Sequence, residues 1–139
     1  MTSPLLGTWR LRSFQLIDEK IGIQDALGPN PIGYLVYTAE GTMSVQMMSA
    51  KRELIPENDL SEASLQEKAN LVDTFRSYAG TYRIEGDKVI HCVQVGLVSN
   101  WVGTEMIRNF ERDGKILTLR GATSSARIKQ DAVLVWEKI

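Results

Sequence analysis

Histidine and cysteine are almost absent from this 139-residue sequence, which has one of each, His91 and Cys92. A single cysteine excludes an internal disulfide, and this pair cannot build a zinc or iron site at the usual ligand spacing. No glycine-rich loop leads from a strand into a helix, and no nucleophile elbow surrounds Ser124 and Ser125. We therefore expect no metal, no cofactor and no serine nucleophile.

The sequence also lacks an excess of either charge, with 16 basic and 17 acidic residues and a net charge of −1. Without a basic stripe, we expect no nucleic-acid partner. The uncharged apolar runs are too short to cross a bilayer, and residues 1–6 lack the basic and apolar regions of a secretory signal. These absences predict a cytoplasmic protein without a membrane partner, either a monomer or a homodimer.

Alternation of apolar and polar residues is the main pattern, in a chain whose length suits a single domain, 1–139. It predicts eight strands, or nine with a short one over 21–24. The other predicted strands cover 6–17, 32–38, 42–48, 78–84, 88–95, 102–112, 115–120 and 132–138. In the first strand the alternation places Trp9, Leu11 and Ser13 on one face and Arg10, Arg12 and Phe14 on the other. A closing Val133-Leu134-Val135-Trp136 can pair with this first strand. The pattern predicts a single up-and-down antiparallel β-barrel with room for one small molecule.

One segment, 59–76, has helical periodicity instead. Its apolar positions are Leu65, Ala69, Val72 and Phe75. Asp59 and Glu62 have the spacing of a capping box at its start. We expect this amphipathic helix to lay its apolar face against the sheet or across a barrel mouth. Because the chain begins with strands, an α+β cone, which needs N-terminal helices, is excluded.

Several short motifs occur in a consistent order along nearly the whole chain. They are Gly7-Thr8-Trp9-Arg10-Leu11, Gly28-Pro29-Asn30-Pro31-Ile32-Gly33-Tyr34, Tyr37-Thr38-Ala39-Glu40-Gly41, Tyr78-Ala79-Gly80-Thr81-Tyr82, Asn100-Trp101-Val102-Gly103-Thr104 and Trp136-Glu137-Lys138. With His91, Arg108 and Phe110, they resemble the lipocalin-like domain family of short bacterial and fungal proteins. The resemblance implies a calycin-type barrel with an internal cavity, and some members look like accessory proteins of secondary-metabolite pathways. Many relatives end in Trp-Glu-Arg, whereas this chain has Lys138 at the position expected to cover Trp9.

His91 is predicted to face the barrel interior, because it shares a strand face with Val89, Val93 and Val95. A buried neutral imidazole must find hydrogen-bond partners. Two interpretations stay open: a ligand-binding or acid–base group in the cavity, or a core histidine whose ring nitrogens are satisfied.

Arg108 is the second candidate, since Val102, Thr104, Met106 and Phe110 share its strand face. Glu105, Ile107 and Asn109 would then form the outer face. Two interpretations stay open: the strand exposes this face to solvent, or Arg108 meets an anion, a carbonyl or a carboxylate inside the barrel, because a buried arginine needs a partner. The outer-face residues favour the second interpretation, and the neighbouring strands offer no inward acid. This arrangement suggests a ligand with an anion or a carbonyl group.

These candidates support two functional hypotheses. In the first, the cavity binds a small, partly apolar metabolite through Tyr37, Tyr78, Tyr82, His91, Trp101, Met106, Arg108 and Phe110, with Trp101 at its mouth. In the alternative, the protein is a cofactor-free isomerase, cyclase or hydro-lyase acting on a polyketide- or terpenoid-type intermediate, with His91, Arg108 and Tyr82 as catalytic residues. A protein-interaction domain with a filled barrel is a third reading, which a cavity of several hundred Å³ would exclude (roughly 300 Å³ or more).

Overall fold

The computed structural model describes residues 3–56, 58–122 and 130–139. Ser124 and Ser125 lie outside the described residues. Alternating segments separated by turns pair as one nine-stranded antiparallel sheet. Its strands are β1 (Gly7–Asp18), β2 (Gly22–Asp25), β3 (Ile32–Tyr37), β4 (Thr42–Met48), β5 (Phe75–Glu85), β6 (Lys88–Gly96), β7 (Glu105–Asp113), β8 (Ile116–Ala122) and β9 (Asp131–Lys138).

The sheet closes because β9 pairs with β1 as well as with β8. Strands β1 and β3 to β9 form an eight-stranded barrel, and β2 adds an extra strand beside Gln15–Asp18. Sequential neighbours pair throughout the rest of the barrel, so the predicted up-and-down barrel is confirmed. Closure leaves the inward face of every strand to build a core or to line a cavity.

A β-bulge in β1 changes which side chains enter the barrel. Leu11 pairs with Trp136 and Ser13 with Val135, so Arg12 is an extra residue on β1. The predicted alternation, which grouped Phe14 with Arg10 and Arg12, is therefore wrong beyond position 11. A bulge inserts one residue and reverses the facing of all that follow, so Phe14 packs against the core instead.

A second bulge, at Gln94 in β6, has the same effect. Gly80 pairs with Val93 and Ala79 with Val95, so His91 and Val93 are buried whereas Val95 is 61% exposed. The expectation that Val95 shares the inward face of His91 is wrong. Gly80 lies so close to the Cys92 backbone that a Cβ there would clash with it, which explains a glycine inside this strand.

The helical segment is shorter than predicted and is not buried. A 3₁₀ helix (Leu60–Glu62) precedes α1 (Leu65–Asp73), and the residues from Phe75 onward belong to β5. Asp59 accepts a hydrogen bond from Ser61 N, while the capping box consists of Ser64 and Glu67. Leu65 is 85% and Val72 48% exposed, so the expected packing of the apolar face is wrong. No helix of the described residues is long and apolar enough to cross a membrane.

Trp9 lies at one end of the barrel core with no exposed surface. Its indole Nε1 donates a hydrogen bond to Leu5 O at 2.9 Å. The Lys138 ammonium lies 5.8 Å from the ring centroid, as the position of this residue predicts, and the Arg112 guanidinium lies 5.1 Å from it. Arg112 also donates to Pro4 O at 2.6 Å, so the N-terminal segment covers this end of the barrel.

Candidate functional site

The barrel contains a cavity of about 850 Å³. Residues from the second half of β1 line it, whereas Trp9, at the start of that strand, does not. Among its mostly apolar lining residues are Phe14, Leu16, Met47, Met106, Leu134 and Trp136. The volume lies in the range of small-molecule sites, about 300–1,000 Å³, and it is inconsistent with a filled barrel.

His91 is the only buried polar or charged residue of the described chain, with 2% of its surface exposed. Its Nε2 lies 2.6 Å from Tyr37 Oη, and its Nδ1 lies 2.7 Å from Tyr78 Oη. Strands β3, β5 and β6 each supply one of these three residues, and those of β5 and β6, Tyr78 and His91, line the cavity. Both ring nitrogens are therefore satisfied by phenolic hydroxyls.

Burial keeps this trio uncharged. It lowers the pKa of His91 to about 3, with the positive charge of Arg108 adding to the effect. Burial likewise raises the pKa of Tyr78 to about 12 and moves the pKa of Tyr37 well above its usual range, although Arg108 opposes both changes. At neutral pH the site thus holds a neutral imidazole between two protonated phenols.

Arg108 extends into the same cavity from β7. Ile107 is exposed and the Glu105 carboxylate lies 2.6 Å from Arg83 Nη1, as the predicted parity requires, although both residues also contribute to the cavity lining. Arg108 donates to Ile107 O at 3.1 Å and contacts Met106 Sδ at 3.9 Å. No carboxylate of the described residues pairs with it. Gly121 makes room for the guanidinium, because a Cβ there would lie 2.6 Å from Arg108 Nη1.

Trp101 lies beside the trio at the cavity lining. It ends a 3₁₀ helix, Ser99–Trp101, and its ring meets that of Tyr78 edge-on at 6.0 Å. The strand predicted over 102–112 starts only at Glu105, so Val102 and Thr104 belong to the preceding loop. The Tyr78–Trp101 contact holds this loop against the inward side of β5.

The predicted site residues divide into two groups. Tyr78, His91, Trp101, Met106 and Arg108 line the cavity. Tyr37, Tyr82 and Phe110 lie behind it: Tyr37 supports His91, and Phe110 packs against the core. Tyr82 packs edge-on against Tyr37 at 4.7 Å and donates to Thr38 O at 3.0 Å, so its hydroxyl does not join His91 and Arg108.

Sequence reasoning missed Arg76, which lines the cavity two residues before Tyr78 on β5. Its Nη1 donates to Phe75 O at 2.8 Å and to Val72 O, near the end of α1, at 3.3 Å. Arg76 has the same-face spacing from Tyr78 that would reveal it, but the predicted helix over 59–76 includes this position. Arg76 is a second cation at the cavity, and the one acidic residue of the lining, Glu105, pairs with Arg83.

No group of three or more His, Cys, Asp or Glu side chains within 3–56, 58–122 and 130–139 could hold a metal ion. The polar and charged residues that line the cavity are Arg76, Tyr78, His91, Asn100, Thr104, Glu105 and Arg108.

Comparison with known proteins gives one family match. A model described as a lipocalin-like domain matches residues 6–139. Comparison with curated proteins gives no significant match. A crystal structure of a lipocalin-like protein from Bacteroides uniformis is similar, with 13% identity and a TM-score of 0.48 over 99% of this chain and 100% of that chain.

Proposed function

This chain belongs to the lipocalin-like domain family, and from that premise we propose that its barrel binds one small, partly apolar molecule with an anionic or carbonyl end. The observation that carries the proposal is Arg108, which enters an apolar cavity of about 850 Å³ and pairs with no carboxylate among the described residues. A guanidinium has five N–H donors, and Ile107 O accepts from Nη1 alone, so the group requires a further acceptor. The ligand supplies it.

The cavity lining defines the rest of the ligand. Met47 and Met106 are flexible and polarizable, so they adapt to an irregular apolar body. Trp101 and Tyr78 add aromatic surface on one side. A molecule with an aromatic or branched hydrocarbon body and one charged or carbonyl end matches this combination.

Binding is better supported than acid–base catalysis. Both nitrogens of His91 are engaged by tyrosines, and its pKa is lowered to about 3 by burial. Such an imidazole neither accepts nor supplies a proton readily at neutral pH. Tyr82, the third proposed catalytic residue of the enzyme hypothesis, directs its hydroxyl to Thr38 O.

A fluorescence titration with 8-anilinonaphthalene-1-sulfonate (ANS), an anionic aromatic probe, tests this function. Arg108→Met keeps most of the side-chain volume and removes the charge, and we expect the affinity for ANS to fall about tenfold or more. Arg120→Met is the matched control, because Arg120 lies exposed on the neighbouring strand β8. It should change the affinity by less than about twofold.

Displacement of ANS by decanoate and by decan-1-ol provides a second criterion. We expect decanoate to displace the probe better from the wild-type protein and to lose this advantage in Arg108→Met. Equal displacement by both compounds in the wild type, or equal ANS affinity in the two arginine variants, would refute the proposed role of Arg108.

A further inference from the structure

We propose that Tyr37, His91 and Tyr78 form an oriented hydrogen-bond relay that fixes the Tyr78 hydroxyl as a donor into the cavity. The relay makes Tyr78 a specificity-determining residue for ligands that present a hydrogen-bond acceptor oxygen, and Tyr37 a positioning residue. This inference rests on the proposed function and deepens it, because it assigns a second polar contact beside Arg108.

The orientation follows from counting donors and acceptors. A neutral imidazole has one N–H donor and one bare nitrogen that accepts. Tyr37 and Tyr78 each contact one ring nitrogen of His91. Consequently one tyrosine donates to the bare nitrogen, while the other accepts from the N–H and must direct its own hydroxyl hydrogen elsewhere.

The surroundings of the two tyrosines decide between the two arrangements. Tyr37 is 1% exposed, does not line the cavity, and has His91 Nε2 as the only hydrogen-bond partner of its hydroxyl among the described residues. If it accepted from the imidazole, its hydroxyl hydrogen would be buried without a partner, which is unfavourable. Tyr37 therefore donates to Nε2, and His91 carries its proton on Nδ1.

Tyr78 is then the acceptor of the Nδ1–H bond, and its own hydroxyl hydrogen is left for another partner. Tyr78 lines the cavity, so a bound molecule can supply that partner. Hydrogen bonds in a chain polarise one another, which strengthens the last donor. Arg108, which lines the same cavity, adds positive charge for the same acceptor. A carbonyl or carboxylate oxygen satisfies both groups, whereas a ligand with only apolar atoms there leaves both unpaired.

The tautomer of His91 can be measured without any ligand. Since the chain has one histidine, all imidazole signals in long-range ¹H–¹⁵N NMR spectra of ¹⁵N-histidine-labelled protein belong to it. We expect a protonated Nδ1 and a bare Nε2. A protonated Nε2 with a bare Nδ1, or a doubly protonated ring at neutral pH, would overturn the relay whether or not the cavity binds ANS.

A matched ligand pair tests the specificity. 2-Acetylnaphthalene and 2-isopropylnaphthalene have similar shapes, but only the ketone carries an acceptor, and both can be measured by displacement of ANS. We expect Tyr78→Phe to reduce the preference for the ketone about fivefold. Tyr37→Phe should reduce the preference for the ketone by a smaller factor. It should also lower the population of His91 that carries its proton on Nδ1.

Tyr82→Phe is the control, because the Tyr82 hydroxyl bonds to Thr38 O and not to His91. It should leave both the ketone preference and the tautomer unchanged. An unaltered preference in Tyr78→Phe, or equal behaviour of Tyr37→Phe and Tyr82→Phe, would contradict the relay. If ANS does not bind the wild-type protein, the proposed function fails, and the NMR result still decides the orientation.

Discussion

Lowering the pH should reduce the free energy of unfolding, and the contribution of His91 to this loss should be large enough to measure. The unfolded chain has an ordinary histidine pKa near 6.5, whereas the pKa of the buried His91 is about 3. Between these values the unfolded state binds a proton that the native state does not. The stabilising contribution is therefore complete above about pH 6.5 and is lost as the pH falls toward about 3.

The size of the effect follows from this linkage. Each pH unit in the window lowers the free energy of unfolding by about 1.4 kcal/mol. From pH 7 to pH 4 the loss through this group is roughly 3 kcal/mol. Small domains have about 5–15 kcal/mol in total, so the loss is a substantial fraction of the stability.

Urea unfolding, followed by tryptophan fluorescence at a series of pH values, measures this loss when a variant without the imidazole is compared with the wild type. His91→Gln retains one donor and one acceptor for the two tyrosines but has no titration in this range. The carboxylates titrate in both proteins, so the difference between the two pH profiles isolates His91. We expect the wild type to lose about 3 kcal/mol more than the variant. Parallel profiles, or an NMR titration of native His91 near pH 6, would refute this reasoning.

Two further substitutions test other parts of the structure. Trp9→Ala should lower the free energy of unfolding by about 3–5 kcal/mol in urea titrations, far more than Trp101→Ala at the cavity lining, and equal losses would contradict the burial of Trp9. Gly121→Ala should displace the Arg108 guanidinium, which would lie 2.6 Å from the new Cβ. We expect weaker ANS binding, with the free energy of unfolding changed by less than about 0.5 kcal/mol. Unchanged ANS binding would contradict a binding role for the Arg108 guanidinium at its position beside Gly121.

The sequence predicted the barrel because alternation and turns are local signals. Strand β4 was predicted with its observed bounds, Thr42–Met48, and the break predicted between 84 and 88 separates β5 from β6. The resemblance implied that a basic residue covers Trp9, and Lys138 lies over its ring. These features depend on residues that are close in sequence, or on the single long-range pairing of β1 with β9.

The errors arose where tertiary pairing overrides the local pattern. Nothing in the local sequence marks Arg12 and Gln94 as bulged, yet each reverses the facing of the residues beyond it. Pairing with β4 draws Phe75 and Arg76 into β5 instead of the helix.

The contacts of His91 could not be predicted for a related reason. Its partners Tyr37 and Tyr78 lie 54 and 13 positions away, so their joint approach depends on strand registers. Alternation indicated that His91 faces inward, but not which tyrosines its ring meets.

Methyl NMR offers the most direct test that the barrel cavity is a ligand site. Met47 and Met106 line the cavity, while Met48, adjacent to Met47 on β4, faces away and contacts Arg52. With ¹³C-methyl-methionine labelling, addition of ANS should shift the signals of Met47 and Met106 and leave that of Met48 in place. A saturable shift of Met48 with Met47 and Met106 unchanged would place the probe on the outer surface and contradict a binding function for the cavity.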